Sequence, residues 1–319
     1  MSLQLYESLE AIPQAPAEGR VVAIGVFDGV HRGHQRILRE AVESAGRLPG
    51  AMAAAVTFRP HPEAVLRPQP APRMLTSLKR KADLMEGLGI EELLVVKFDR
   101  AFAQLSPAQF CRLVLSERLG ARLVLVGENF RFGHLGVGTP VELRDYGRDH
   151  GFDVRTVSLA QEDGQVISST RIRNLIHAGQ VAEAGHLLGR PHRIEGVVVA
   201  GAGRGKTLHA PTANLAVETE TAVPHQGVYV TRSVVDGGET RPSVTSVGTN
   251  PTFEADKKIR IETLLLDFKG DLYGRHLALD FLERIRSQQV YPDADALARR
   301  IAQDVEVARG YLAHLEEGR

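Results

Sequence analysis

Between residues 21 and 158, short unbroken apolar runs alternate with helix-length amphipathic stretches, and this alternation constrains the fold more than any other feature. The runs at 21–25, 51–58, 93–98, 122–126 and 152–158 read as strands, and 35–46, 77–87, 107–119 and 141–150 read as helices. Strands that are apolar throughout, separated by helices, belong to βαβ units whose parallel sheet is covered on both faces. Two short helices follow at 170–178 and 181–188, and Gly189-Arg190-Pro191 then punctuates the chain. Beyond that point the period changes. Strands are expected at 194–200, 227–235, 243–247, 259–268 and 276–282, parted by turn signals such as Asp236-Gly237-Gly238, Asn250-Pro251 and Lys269-Gly270-Asp271. The next long helix is expected only at 293–315. Several strands followed by one helix point to a small antiparallel barrel with a helix packed against it. The expected class is α/β: a Rossmann-like parallel sheet over residues 1–186 and an antiparallel barrel with a terminal helix over 187–319.

A length of 319 residues fits two such domains. Lys plus Arg and Asp plus Glu are equal at 39 each, so no net field draws the chain to nucleic acid or to an anionic membrane. An anionic ligand must then be held by local geometry. The lone cysteine, Cys111, excludes an internal disulfide framework and fits a reducing compartment. The N-terminal residues show no basic region and no apolar run, and no segment approaches the ~20 apolar residues of a membrane span. These features lead us to expect a cytoplasmic protein acting on small molecules, as a monomer or weak homo-oligomer.

The first expected strand runs into Gly25-Val26-Phe27-Asp28-Gly29-Val30-His31-Arg32-Gly33-His34 and then a helix. In an open parallel sheet, ligands bind at the carboxyl ends of strands. Gly25, Gly29 and Gly33 let backbone approach a ligand closely. His31 and His34 are three apart, so on a first helical turn they share a face. Helix N-termini attract phosphate, and two imidazoles there can stabilise charge developing on an α-phosphorus. A zinc site would need further ligands, and no local cluster supplies them. The His-x-Gly-His signature resembles that of the nucleotidylyltransferases.

Three further peptides point the same way. Thr57-Phe58-Arg59-Pro60-His61-Pro62 follows the second strand, again at a carboxyl end. Gly127-Glu128-Asn129-Phe130-Arg131-Phe132-Gly133 follows the strand at 122–126 and offers aromatic and polar groups for a ring and a ribose. Ser168-Ser169-Thr170-Arg171 places capping hydroxyls at a helix start, followed by an arginine where the helix dipole disfavours cations. A bound pyrophosphate resolves that conflict.

These peptides, in this order, resemble the prokaryotic bifunctional riboflavin kinase/FAD synthetase family, and the resemblance covers nearly the whole chain. It implies that the N-terminal domain adenylylates FMN with ATP and releases pyrophosphate, with Mg²⁺ assisting. It further implies that His31 and His34 hold the ATP phosphates within a nucleotide site that includes Gly25, Phe27, Asp28, Gly29, Gly33 and His61. Asn129 then lies at the nucleotide/flavin site, and Ser169, Thr170 and Arg171 clamp the leaving pyrophosphate. Val26 departs from the family, which usually has a polar residue there.

In the second half, Ala200-Gly201-Ala202-Gly203-Arg204-Gly205-Lys206-Thr207 nearly spells a P-loop, and Leu264-Leu265-Leu266-Asp267 mimics its companion motif. A P-loop must open into a helix, whereas Leu208-His209-Ala210-Pro211 follows and the downstream pattern is antiparallel. The better reading joins Gly205 and Lys206 with Pro211-Thr212-Ala213-Asn214, which together resemble the riboflavin kinase phosphate-binding segment. Thr212 and Asn214 offer oxygen ligands suited to Mg²⁺ and phosphate. Glu262 lies on an expected strand, and a carboxylate there can accept the proton of a ribityl hydroxyl attacking the γ-phosphorus. By resemblance, Glu262 is the catalytic base. His209, Ala210, Leu264 and Gln288 depart from the family pattern in this half. Riboflavin, FMN, FAD and ATP are therefore the expected substrates and products. Two alternatives stand beside this reading: an FMN adenylyltransferase with impaired or absent kinase activity, and a non-catalytic flavin-binding regulatory protein.

Overall fold

The computed structural model describes residues 2–67, 70–200, 212–249 and 259–317. The chain forms two compact units, Met1–Ser169 and Thr170–Arg319.

The first unit is built on a six-stranded parallel sheet. Its strands are β1 (Gln4–Tyr6), β2 (Arg20–Ile24), β3 (Met52–Arg59), β4 (Glu92–Lys97), β5 (Ala121–Gly127) and β6 (Asp153–Val157), in the spatial order β1-β4-β3-β2-β5-β6. Alternate residues of the apolar strands feed separate cores. Val22 and Ile24 pack with Phe110, Val114 and Leu115 on one face, and Val21 and Ala23 pack with Ile37, Leu38 and Ala41 on the other. The helices are α1 (Arg32–Gly46), α2 (Pro62–Leu66), α3 (Leu78–Glu86), α4 (Pro107–Gln109, continuing as a wider π-type helix over Phe110–Arg118) and α5 (Pro140–His150). A short hairpin, β7 (Gln161–Glu162) and β8 (Gln165–Val166), precedes the second unit. Arg20, the first residue of β2, and Glu92, the first of β4, are buried together as an ion pair, and the Arg20 guanidinium also donates to the carbonyls of Leu119 and Pro13. Cys111 is wholly buried, and burial pushes its thiol up to about 12, so it is packing material.

The second unit is a closed antiparallel barrel. Its strands are β9 (His192–Val199), β10 (Ala213–Ala216), β11 (Gly227–Val235), β12 (Thr240–Thr249), β13 (Ile259–Leu265) and β14 (His276–Arg286), closing in the order β10-β13-β12-β11-β14-β9. The helix α6 (Ser169–Ala178) begins at the last residue of the first unit and runs on into this one, and α7 (Val181–Leu188) packs on β9 and β14. The long helix α8 (Ala294–Glu317) covers the outer barrel face through Ala308 and Leu312, which meet Val228, Val230, Val244 and Leu282. The interior is mostly apolar, with Ile194, Tyr229, Leu279 and Phe281 at its centre. One side of it carries a fully buried hydroxyl ladder. Thr231 meets Ser243 at 2.8 Å and Thr245 at 2.7 Å, Ser233 donates to Ser243 at 2.7 Å, and Thr245 donates to Thr263 at 2.9 Å.

Four of these strands lie outside the sequence expectation: β1, β10 and the two-residue strands β7 and β8. β1 is a three-residue edge strand, half exposed and without an apolar run. β10 is four residues long and takes its place through pairing on both sides, with β9 and β13. No helix among the described residues is long and apolar enough to cross a membrane.

Candidate active sites

In the first unit, β2 lies between β3 and β5. The chain leaves β2 through α1 towards β3, and β5 is added later on the other side. Loops leaving β2 and β5 therefore diverge and open a crevice at their carboxyl ends. The residues after β2 fill that crevice. Phe27, Gly29 and Val30 have φ of 50°, 83° and 40°, a left-handed conformation that is costly for Phe and for a β-branched Val. Hydrogen bonds hold the turn in that shape. The buried Asp28 carboxylate accepts from the amides of Leu75 (2.9 Å) and Thr76 (3.4 Å), and the Gly29 amide donates to Thr76 Oγ1 (3.2 Å). Ser169, the last residue of the first unit, donates from its Oγ to the Asp28 carbonyl at 2.9 Å.

His31 and His34 come together, though not as two residues of one helical turn. His31 is the N-cap of α1, and its Nδ1 accepts from the His34 amide at 3.3 Å. The two rings stack with centroids 3.5 Å apart, and Phe27 meets His34 edge-on at 5.3 Å. A Cβ on Gly33 would lie 3.2 Å from the His31 ring, so a larger residue there would press on the stack. Because His31 Nδ1 is an acceptor, the neutral ring carries its proton on Nε2. Burial, then the charges of His31 and Lys81, holds His34 well below its ordinary value, so it is neutral at pH 7. His34 Nδ1 is buried with no hydrogen-bond partner among the described residues.

His61 caps α2, accepting from the Glu63 amide at 3.2 Å, just past the end of β3. Asn129 is exposed in the loop after β5. Thr170 is exposed and Arg171 half-buried in the first turn of α6. Two features escaped the sequence reading. The first is Lys81 on α3, 3% exposed, whose ammonium donates to the Val26 carbonyl at 2.8 Å and to Thr57 Oγ1 at 3.1 Å. The second is a run of rings in contact: Phe58 with Phe98 and Phe102, Phe102 with Phe110, and Phe110 with Phe132, which stacks on Phe130. Phe58, Phe98 and Phe130 are half-buried at the carboxyl end of the sheet.

In the second unit, antiparallel register sets the site. Glu262 on β13 lies opposite Asn214 on β10 and opposite Ser246 on β12. Side chains directly opposite share a face, so these three form a row on the outside of the barrel. Thr212 joins them by the two-residue period, since its neighbour Ala213 is buried inward. All four line one cleft between the barrel and α8, together with Arg286, Gln288, Tyr291 and Asp304. The Arg286 guanidinium donates to Asp304 of α8 at 2.6 and 2.9 Å, and it lies 5.8 Å from the Tyr291 ring centroid. Two departures from the family pattern have a local account here. The Gln288 amide donates to Ser246 Oγ at 2.7 Å and to the Val247 carbonyl at 3.2 Å, at the end of the row. Leu264 packs into the apolar contact beneath α8. Gly205, Lys206 and Pro211, with the departures at His209 and Ala210, lie outside the described residues.

A family model described as FAD synthetase matches residues 14–171, and one described as riboflavin kinase matches residues 188–312. Curated relatives carry the name bifunctional riboflavin kinase/FMN adenylyltransferase. That of Escherichia coli K12 is 35% identical over 97% of this chain and 98% of its own. That of Pseudomonas fluorescens is 38% identical over 92% and 94%, and that of Bacillus subtilis 35% over 93% and 94%. A solved structure from Streptococcus pneumoniae, described as a macrolide-efflux protein, superposes with a TM-score of 0.86 at 30% identity over 97% of this chain and 99% of that one. With both family models matched in order and relatives aligned over nearly their full length, the chain belongs to the bifunctional riboflavin kinase/FMN adenylyltransferase family.

Proposed function

We propose that adenylyl transfer takes place in the crevice beyond β2 and β5, and that phosphorylation takes place on the outer barrel face around Glu262. The chain is bifunctional: it phosphorylates riboflavin to FMN with ATP, and it adenylylates FMN to FAD with release of pyrophosphate. The division of labour between residues 1–186 and 187–319 is part of the proposal.

For the adenylyl transfer, the carrying observation is the stacked histidine pair on the N-terminus of α1. Helix amides and the dipole favour the triphosphate there. The neutral His34 ring keeps one N–H with which to donate a hydrogen bond to it. An FMN phosphate oxygen attacks the α-phosphorus, the bond to the β-phosphate oxygen breaks, and pyrophosphate leaves. The protein contributes alignment and charge stabilisation. In this reading Ser169 meets the leaving group, His61 and Asn129 border the nucleotide, and the half-buried rings of Phe58, Phe98 and Phe130 suit a planar flavin ring.

For the phosphorylation, the carrying observation is the register that sets Asn214 opposite Glu262. The Glu262 carboxylate takes the proton of the terminal ribityl hydroxyl as its oxygen attacks the γ-phosphorus, and ADP leaves. Thr212 and Asn214 place a hydroxyl and an amide oxygen on the cleft face beside that carboxylate, a hard-oxygen set that fits Mg²⁺. When bound, Mg²⁺ would neutralise phosphate charge. The intact Asn214–Glu262 row speaks against an impaired kinase, and the same row with the histidine stack speaks against a non-catalytic flavin binder. The balanced charge fits action on small molecules in the cytoplasm, with neither nucleic acid nor membrane as partner and as a monomer or weak homo-oligomer.

Riboflavin, ATP and Mg²⁺ are supplied, and FMN and FAD are separated. Glu262→Gln is expected to abolish FMN formation and to spare FAD formation from supplied FMN. The double change His31→Ala with His34→Ala is expected to do the reverse. Loss of both activities in a folded Glu262→Gln protein would falsify the assignment to separate sites.

A further inference from the structure

Lys81 occupies a place that packing alone does not explain. It lies on α3 at 3% exposure, and its ammonium is bonded to two neutral acceptors, the Val26 carbonyl and Thr57 Oγ1. Thr57 Oγ1 itself donates to the same Val26 carbonyl at 2.8 Å. The charged and titratable groups around it come from three other elements. Asp28 in the turn after β2 attracts it, Arg59 at the end of β3 repels it, and His34 on α1 feels its charge. Asp28 is the one anion of this set, and its carboxylate is already shared between the amides of Leu75 and Thr76. The ammonium is therefore buried with less negative charge than it needs. Burial depresses it to about 8 from its ordinary 10.5, with Arg59 opposing it as well. An apolar side chain would fill this space at lower cost, and a buried, under-compensated cation beside a strained turn calls for an anion.

We propose that Lys81 is a positioning residue for adenylyl transfer: it fixes the Val26 carbonyl and the Thr57 hydroxyl, and it supplies the buried positive charge against which a nucleoside triphosphate settles at residues 25–34. The proposal rests on the placement of the ATP phosphates at that turn. In the free protein the charge is a liability, and the arriving triphosphate turns it into an attraction. Binding of the triphosphate therefore raises the proton affinity of Lys81, and ATP binds best to the protonated form. The alkaline limb of kcat/KM for ATP then reports Lys81 in the free enzyme.

The test uses the full chain and follows FAD formation from supplied FMN, with ATP varied, between pH 7.5 and 9.5. For the wild type, kcat/KM for ATP is expected to fall about tenfold or more across this range, carried by KM. Lys81→Arg, whose charge does not titrate there, retains most activity and flattens the profile. Lys81→Met is lowered about 100-fold at pH 7.5 and is also flat. Riboflavin phosphorylation and a cooperative melt, measured on the same preparations, report folding. The idea is overturned if Lys81→Met stays within about twofold of wild type, or if Lys81→Arg keeps the wild-type alkaline limb. Should either variant fail to fold, the presence or absence of the limb in the other still decides. The His31→Ala/His34→Ala protein separates the two layers of the argument. Unchanged FAD synthesis in it removes the phosphate site itself, whereas loss there with indifferent Lys81 variants removes only the role of Lys81.

Discussion

The Lys81 ammonium is 3% exposed and titrates at about 8 instead of 10.5, chiefly because burial penalises its charge. A fall of that size corresponds to roughly 3 kcal/mol of strain on the folded state at neutral pH. Its folded value lies below its unfolded one, so the strain is full below about pH 8 and disappears above about 10.5 as the unfolded chain also loses the proton. His34 has the same sign at lower pH, since its depressed folded value disfavours the fold as pH drops below 6.5. Lys81→Met is expected to raise the melting temperature of the first unit at pH 7.5, and scanning calorimetry should show that advantage shrinking steadily towards pH 10. A constant advantage across that range would mean that the ammonium is not strained. This residue was illegible in the sequence for a definite reason. It stands in Leu78-Lys79-Arg80-Lys81, where three bases in a row read as a solvated helix face. Only the packing of α3 against the turn after β2 sets one of them apart. The histidines were legible, because His-x-Gly-His needs no tertiary information to be noticed. Their stacking was not, because it depends on His31 standing outside the helix as its cap.

At the scale of elements, the strand–helix alternation of the first unit was readable because buried parallel strands are apolar throughout. β10 was not readable, because four residues carry no usable period and its partners β9 and β13 are distant in sequence. That omission mattered for the site. Asn214 and Glu262 were both singled out from the sequence, yet only the β10–β13 register makes them neighbours. The tie between the barrel and α8 was likewise invisible. Arg286 and Asp304 are 11% and 3% exposed and form a charge pair at 2.6 Å, with Arg300 as a second partner for Asp304 at 3.3 Å. Removing one member of such a pair leaves the other buried and uncompensated. Asp304→Ala is expected to cost the second unit about 3 kcal/mol. Both residues line the Glu262 cleft, so riboflavin phosphorylation should fall while FAD formation from FMN is kept. Denaturant titration together with the two product assays checks this, and an unchanged kinase rate would detach α8 from the chemistry.

At the scale of the molecule, the sequence punctuation at Gly189-Arg190-Pro191 and the division of compact units at Ser169/Thr170 fall at different places. The residues between them form α6 and α7, and Val181 of α7 packs with Ile194 and Phe281 of the barrel. A fragment beginning at Thr170 is therefore expected to melt higher than one beginning at residue 187, and both are expected to phosphorylate riboflavin. Equal melting temperatures would show that these helices add nothing to the barrel. The two cores also differ in how they can change over evolutionary time. In the sheet, one aliphatic residue can replace another singly, at a modest packing cost. The hydroxyl ladder of Thr231, Ser243, Thr245, Thr263 and Ser233 resists this, because its buried members are one another's partners: removing Ser243 takes away the acceptor of Ser233, and removing Thr263 takes away the acceptor of Thr245. Replacing the whole set by apolar groups of similar shape is far less costly than replacing one. The ladder is therefore a block that mutation can enter only through an unfavourable first step, so the barrel interior is held to its present chemistry by the route and not by the destination.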